Sequence, residues 1–407
     1  MHVELHPRYQ NTTEGQRGAE LLSACVHCGF CLATCPTYLD TPDERDSPRG
    51  RIYLVKNLLE QGDASALTRQ HLDRCLTCRS CETTCPSGMQ YGALVDLGRG
   101  LVDELAPRPW WQRITRLALR KTLTSPRLFQ PLIRLGQMLR PVLPKALAQA
   151  VPAPRQRHPT PSSQHRRRVL LLDGCVQAAA TPQTNDAVIR ILNALGIDGE
   201  FSVGAGCCGA VNYHLGAHDD GLDDMRRNID AWWPAIEAGA EAVVTSASGC
   251  GATVHEYGQY LVGDPDYATR AAKISELAVD IAQLLASEDL TPLTAQTQPR
   301  VALHTPCTLQ HVLGADEAVR SILQGAGIEL TQTCDDHLCC GSAGTYSLLQ
   351  PERSQRLRER KIAALTGDAP ERIVTANVGC QLHLDAAATQ PVHHWVELLD
   401  PSPVDPA

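Results

Sequence analysis

Eight of the seventeen cysteines in this 407-residue chain fall in two runs of one spacing. Cys25-Val-His-Cys28-Gly-Phe-Cys31-Leu-Ala-Thr-Cys35 is followed by Pro36, and Cys75, Cys78, Cys81 and Cys85 are followed by Pro86. Three thiolates at this spacing can wrap a tight loop around one face of an iron-sulfur cubane and bind three irons, leaving the fourth to a ligand from elsewhere. In proteins with two such runs the cysteine before proline serves the other cluster. Two [4Fe-4S] clusters are therefore expected, one on Cys25, Cys28, Cys31 and Cys85, the other on Cys75, Cys78, Cys81 and Cys35. Zinc is the competing reading, since Cys-x-x-Cys pairs also build ribbons and fingers. Zinc sites typically use two separated pairs, whereas an unbroken triplet with a Cys-Pro partner, present twice, is an iron-sulfur pattern. Disulfides are disfavoured by the odd cysteine count and by an opening, MHVELHPRYQNTTEGQ, without a basic and then apolar leader.

Small neighbours at Gly29, Ala33 and Gly88 would let the backbone come close and donate N–H groups to sulfur. Between the runs, Ser47-Pro48-Arg49-Gly50-Arg51 precedes an amphipathic stretch from Ile52 to Glu60. Ser47 reads as an N-cap with Pro48 in the first turn. The alternative is that Arg49 or Arg51 serves a cluster or a partner.

The remaining chemistry is repeated. Cys175, Cys207 and Cys208 recur 132 positions later as Cys307, Cys339 and Cys340, and Cys250 recurs 130 later as Cys380. Two tandem copies of one module follow. Each opens with a β-rich run, Val169 to Asp173 or Val301 to Thr305, that delivers the first cysteine. Helical patterns follow, such as Asn185 to Leu195, and a later strand, Ala242 to Ser246 or Arg372 to Ala376, ends at Cys250 or Cys380. Alternating strands and helices predict an α/β sheet, with the cysteines just past strand carboxyl ends, where such sheets bind ligands. Four blocks result: a mainly helical two-cluster domain over 1–105, a basic helical connector over 106–167, and α/β modules over 168–298 and 299–407. Together they predict an α+β / α/β chain.

The vicinal pairs Cys207-Cys208-Gly209 and Cys339-Cys340-Gly341 need a sharp backbone bend, which the glycine permits. They resemble the cysteine-rich CCG domain of heterodisulfide reductase subunits, in which five cysteines, ending in Cys-x-x-Cys, hold an unusual cluster. Both copies depart from that pattern, with Thr253 and His383 in the last position. The second copy keeps Cys307, Cys339, Cys340, Cys380 and the imidazole of His383, so a third iron-sulfur cluster there and a structural or docking role both stay open. Cys334, His304, His311 and His337 read as ordinary residues.

A doubled ferredoxin-type motif fused to two CCG modules is the layout of several respiratory oxidoreductase subunits. Cys75-Leu-Thr-Cys78-Arg-Ser-Cys81-Glu-Thr-Thr-Cys85, Asn228-Ile-Asp-Ala-Trp-Trp-Pro-Ala-Ile-Glu-Ala-Gly-Ala-Glu241 and Cys339-Cys-Gly-Ser-Ala-Gly-Thr-Tyr346 resemble the iron-sulfur subunits of glycolate oxidases. The resemblance implies a complex that oxidises glycolate to glyoxylate on FAD held by partner subunits, with this chain carrying electrons toward a quinone-type acceptor. The iron-sulfur subunits of lactate or glycerol-3-phosphate dehydrogenases, and a catalytic heterodisulfide-reductase-like subunit, are the alternatives. A G-x-G-x-x-G run following a strand is not expected in this chain, so flavin or NAD is expected elsewhere. No residue here is expected to act as catalytic acid or base.

Pro107 to Arg168 holds fourteen Lys or Arg and no Asp or Glu, within a chain of net charge -8. There Trp110, Trp111, Leu117, Leu119, Leu123, Leu128 and Leu132 interleave with Arg113, Arg116, Arg120 and Lys121. This basic amphipathic pattern fits an anionic membrane surface or an acidic partner, with a solvated linker as the bland alternative. Nucleic acid is not expected, because no binding fold accompanies the charge. No uncharged apolar run reaches the roughly 18 residues of a membrane span, so the expected location is cytoplasmic, with peripheral contact on the inner membrane left open.

Overall fold

The computed structural model describes all residues except 145–147, 149–150, 156, 161–163, 294–298 and 403–407. Those parts of the expected connector and of the two expected modules lie outside the described residues. The chain forms two compact units, one of Met1–Ala118, His214–His218 and His337–Lys361, the other of Leu119–Tyr213, Asp219–Asp336 and Ile362–Ala407. The units cut across the sequence blocks, since the Cys339-Cys340 segment folds with the amino-terminal unit.

Four of the helices in the first unit form its core: α1 (Thr13–Ser23), α2 (Pro48–Gln61), α3 (Ala66–Asp73) and α4 (Tyr91–Leu105). Hydroxyls start three of them, with Thr12 accepting from Gly15 N, Ser47 from Gly50 N and Ser65 from Thr68 N at 2.9–3.0 Å. Their apolar faces meet in a core that includes Leu22, Ile52, Val55, Leu59, Leu72 and Leu94. Both cysteine runs hang from this core, each beginning just after a helix, α1 or α3.

In the connector, α5 (Trp110–Leu123) and α6 (Pro126–Leu139) contain no buried residue. Beyond them the second unit carries two four-stranded sheets. Strands β1 (Arg167–Leu171), β2 (Ile197–Phe201), β3 (Val243–Thr245) and β4 (Ala278–Asp280) lie in the order β2-β1-β3-β4. Strands β5 (Arg300–His304), β6 (Glu329–Leu330), β7 (Arg372–Thr375) and β8 (Val392–His394) repeat it as β6-β5-β7-β8. Every pairing is parallel. Helix α7 (Pro182–Ala194) lies between β1 and β2, α8 (Ser248–His255) follows β3, α9 (Asp316–Gly325) lies between β5 and β6, and α10 (Val378–Asp385) follows β7. The predicted alternation of strands and helices is thus present in both copies, with ends displaced by one to three residues.

The copies share one interior, while Leu170, Leu172, Val243 and Trp232 of the first copy belong to a second buried cluster of its own. Val169, Leu171 and Val244 of the first sheet share one buried cluster with Val301, Leu303 and Val374 of the second, and with Trp395. Polar contacts join the same copies: Ser248 N donates to Ala376 O at 3.0 Å, Gly249 N to Asn377 Oδ1 at 3.2 Å, and His394 Nε2 lies 2.7 Å from Ser246 O. Among the described residues no helix is long and apolar enough to cross a membrane.

Candidate iron-sulfur sites

Each cysteine run closes into a loop through left-handed residues on both sides of its second cysteine. His27 and Gly29 flank Cys28 with φ of 56° and 85°, and Thr77 and Arg79 flank Cys78 with φ of 51° and 60°. Only Gly29 adopts this region freely; a side chain there costs roughly 1–2 kcal/mol per residue. Neighbours hold the strained positions. Arg99 Nη1 donates to Thr77 Oγ1 at 2.9 Å, while its Nη2 donates to Cys75 O at 2.6 Å.

These loops line two adjoining cavities. Cys25, Cys28, Cys31 and Cys85 face one of about 410 Å³. Cys35, Cys75, Cys78 and Cys81 face another of about 280 Å³. Pro48, Cys81 and Tyr91 line both, so a single layer of side chains separates them. The first set lies nearer the surface, with Cys28 exposed and Cys31 and Cys85 half-buried, while all four cysteines of the second are buried.

The donor chemistry fits a cationic iron-sulfur core. Burial, followed by the neighbouring Cys78, Cys75 and Cys35, pushes the Cys81 thiol well above its ordinary value. Burial pushes Cys31 up to about 11 and also raises Cys25. A bound metal centre removes this penalty by taking the thiolates as ligands. Cys85 is already poised for ligation: burial raises it, but the Ser87 hydroxyl at 3.3 Å and the backbone N–H groups of Met89, Ser87 and Gly88 outweigh that and leave it lowered.

Polar groups crowd the second cavity. Arg51, 1 % exposed, donates from Nε to His71 O at 2.8 Å and from both terminal nitrogens to Thr37 Oγ1 at 3.1 Å. Thr37 Oγ1 lies 3.3 Å from Cys35 Sγ, and the buried Tyr91 hydroxyl donates to Cys75 Sγ at 3.6 Å. Ser47 caps α2 as expected, and the first turns of the same helix bring Arg49 to one cavity and Arg51 to the other. Thr37 and Tyr91 carried no spacing signal and escaped sequence reading.

In the first repeat copy the thiols of Cys175, Cys207, Cys208 and Cys250 form a chain of sulfur hydrogen bonds. Cys175 is held up by its bond to Cys207 and by burial. For Cys207 and Cys208 the preceding thiol lowers the value, but the next thiol and burial outweigh it. Gly209 makes the bend with φ of 96°, as Gly341 does in the second copy with φ of 90°. Thr253, in the place of a fifth cysteine, turns its hydroxyl back to Gly249 O at 3.2 Å. In the second copy Cys339 and Cys340 belong to the first unit, and Cys307, Cys380 and His383 to the second. Asn377 Nδ2 donates to Cys380 Sγ and Gly341 N to Cys339 Sγ, each at 3.4 Å. The sequence reading singled out the second copy, although the first copy's cysteines carried the same repeat signal.

One expectation needs correction. Gly204-Ala-Gly206-Cys-Cys-Gly209 does have the G-x-G-x-x-G spacing after a strand. Its surroundings differ from a dinucleotide turn: β2 is an edge strand, the helix that follows spans only Ala210–His214, and Gly206 N already donates to Asn228 Oδ1 at 2.8 Å.

Crossed cysteine sets on a helical unit, followed by a repeated strand-helix module with vicinal cysteines, define an iron-sulfur protein of the dicluster type with two cysteine-rich domains. Family comparison agrees, with a 4Fe-4S dicluster domain at residues 21–89 and the Cysteine-rich domain at 169–255 and 301–385. The chain is 49% identical over 401 residues, 98% of each protein, to the glycolate oxidase iron-sulfur subunit of Escherichia coli (strain K12). A probable glycolate oxidase iron-sulfur subunit from Bacillus subtilis (strain 168) is 31% identical over 90% of this chain and 88% of its own. Lactate utilization protein A of Bacillus velezensis is 28% identical over 53% of this chain and 90% of its own. The chain belongs to the family of glycolate oxidase iron-sulfur subunits, as its motifs led us to expect.

Proposed function

We propose that this chain is the electron-transfer subunit of a flavin-dependent glycolate oxidase, receiving electrons from flavin on partner subunits and delivering them toward a quinone-type acceptor. In this reading Cys25, Cys28, Cys31 and Cys85 hold one [4Fe-4S] cluster, and Cys75, Cys78, Cys81 and Cys35 hold the other. The carrying observation is the pair of adjoining cavities, one lined by Cys35, Cys75, Cys78 and Cys81 and the other by Cys25, Cys28, Cys31 and Cys85, with Cys81 at their shared wall. A cubane supplies one-electron transfer, which suits a flavin that takes two electrons and releases them singly. The protein's part is to supply the thiolates, keep the buried set from water, and hold the sites one side-chain layer apart. The half-exposed set is the natural side for exchange with a partner.

Peripheral membrane contact on the cytoplasmic face belongs to the same reading. Trp110, Trp111, Ile114 and Leu117 on α5, and Leu128, Leu132, Leu135 and Met138 on α6, are exposed in a segment without acidic residues.

Iron and acid-labile sulfide are measured on anaerobically purified protein, with EPR after reduction, beside a Cys307→Ser, Cys340→Ser variant. About eight irons in both, as two cubanes require, support two clusters with a structural or docking role for the repeat. About twelve, falling to about eight in the variant, add a third cluster at Cys307, Cys339, Cys340, Cys380 and His383. Zinc without iron sinks the electron-transfer reading.

A further inference from the structure

Reduction adds negative charge to a cluster, so the charges fixed in a cavity wall bear on how readily it takes an electron. The second cavity is unfavourable on burial alone, because all four of its cysteines are withdrawn from water. Arg51 stands in that wall beside them, with its guanidinium pinned by Thr37 and the His71 carbonyl. Burial opposes its charge, but a guanidinium is not deprotonated in proteins, so Arg51 remains a permanent cation.

This cation is poorly neutralised. Its nearest carboxylate, Asp46, lies 3.6 Å away and is shared with Arg74 at 3.2 Å, Arg353 at 2.7 Å and His71 Nδ1 at 2.8 Å. One carboxylate thus faces three guanidinium groups. The other arginines near the loops each have one carboxylate within reach, Arg99 at 3.4 Å from Asp96, which His214 shares at 3.1 Å, and Arg79, which also lines this cavity, at 3.9 Å from Glu82. At the first cavity Arg49 is partly exposed and bound to Glu44 at 2.8 Å. Water and counterions screen such charges far more than one sealed in a core.

We propose that Arg51 sets the reduction potential of the cluster held by Cys35, Cys75, Cys78 and Cys81, offsetting the burial that would otherwise make that site hard to reduce, with the Tyr91 hydroxyl acting in the same direction through Cys75. Arg51 is a positioning residue: it supplies fixed charge and does not ligate iron. The inference rests on the ligand assignment proposed above.

The test is an EPR-monitored redox titration of the full chain in its complex, comparing wild type with Arg51→Met, Arg51→Lys and Tyr91→Phe, alongside iron and sulfide content. In Arg51→Met one reduction step moves to lower potential while the other stays in place. Arg51→Lys keeps that step near its wild-type position, and Tyr91→Phe moves it the same way by less. The moving step is the one whose signal Cys35→Ser alters. Full cluster content with neither step moved in Arg51→Met, or both moved together, overturns the proposal. If Arg51→Met loses iron, Tyr91→Phe decides, and an unmoved step there overturns it. Absence of iron from wild type would instead sink the ligand assignment beneath it.

Discussion

Asp280 and His394 occupy matching places in the two sheets, each ending the fourth strand opposite a threonine, Thr245 and Thr375. Each also accepts a backbone N–H of the next turn, Asp280 Oδ1 from Ala282 at 2.9 Å and His394 Nδ1 from Val396 at 3.2 Å. Burial moves them oppositely, pushing Asp280 up to about 7 and His394 down to about 4. Both are neutral between those values. The Asp280 contribution is complete below its unfolded value of 3.8 and is lost as pH rises through 7; the His394 contribution is present above 6.5 and is lost as pH falls through 4. Between 4 and 6.5 the two slopes cancel, so this pair holds stability level across mildly acidic solution and leaves it lower above pH 7. Asp280→Asn keeps the capping oxygen and removes the buried charge. We expect it to raise stability at pH 8 by on the order of 2–4 kcal/mol and to have much less effect near pH 5, as denaturant unfolding at the two pH values will record. An equal effect at both would refute the assignment.

At the scale of elements, the same sequence feature yields different results according to what lies across from it. Helices α2 and α4 bury their apolar faces in the first core, whereas α5 and α6, equally amphipathic in pattern, leave theirs exposed. The cations of α5 are partly tied down, Arg116 to Asp73 at 3.1 Å and Arg120 to Asp220, while Leu128 and Leu132 of α6 face outward. If that face meets an anionic bilayer, Leu128→Gln with Leu132→Gln weakens binding to phosphatidylserine vesicles roughly tenfold or more, and added salt weakens wild-type binding further. Cosedimentation measures both, and unchanged binding in the double variant removes α6 from the interface.

At the scale of the whole molecule, the repeat is a duplication whose copies share a buried cluster, the first copy adding another of its own. Leu303 of β5 is buried with Val169 and Val244 of the other sheet, so damage to one copy should reach the other. Leu303→Ala is expected to cost about 2–5 kcal/mol and to reduce hydrogen-exchange protection in β1 and β3 as well as in β5 and β7. Loss confined to the second sheet would mean that the copies unfold separately.

Cysteine spacing, proline placement and the 132-residue shift were legible in the chain because metal ligation, turn chemistry and duplication are local or periodic constraints. They were enough to read the cap at Ser47 and the order of strands and helices, and to propose the two crossed cysteine sets. Tertiary structure decided what depends on burial. Arg51 reads in sequence as a helix-starting charge, and only the meeting of α2 with the Cys75 loop seals it beside a cavity. Asp280 and His394 read as unrelated polar residues until matching strand ends bury both. The core shared between the two repeats is likewise absent from the pattern, because periodicity reports which face of an element is apolar and leaves open which partner covers it.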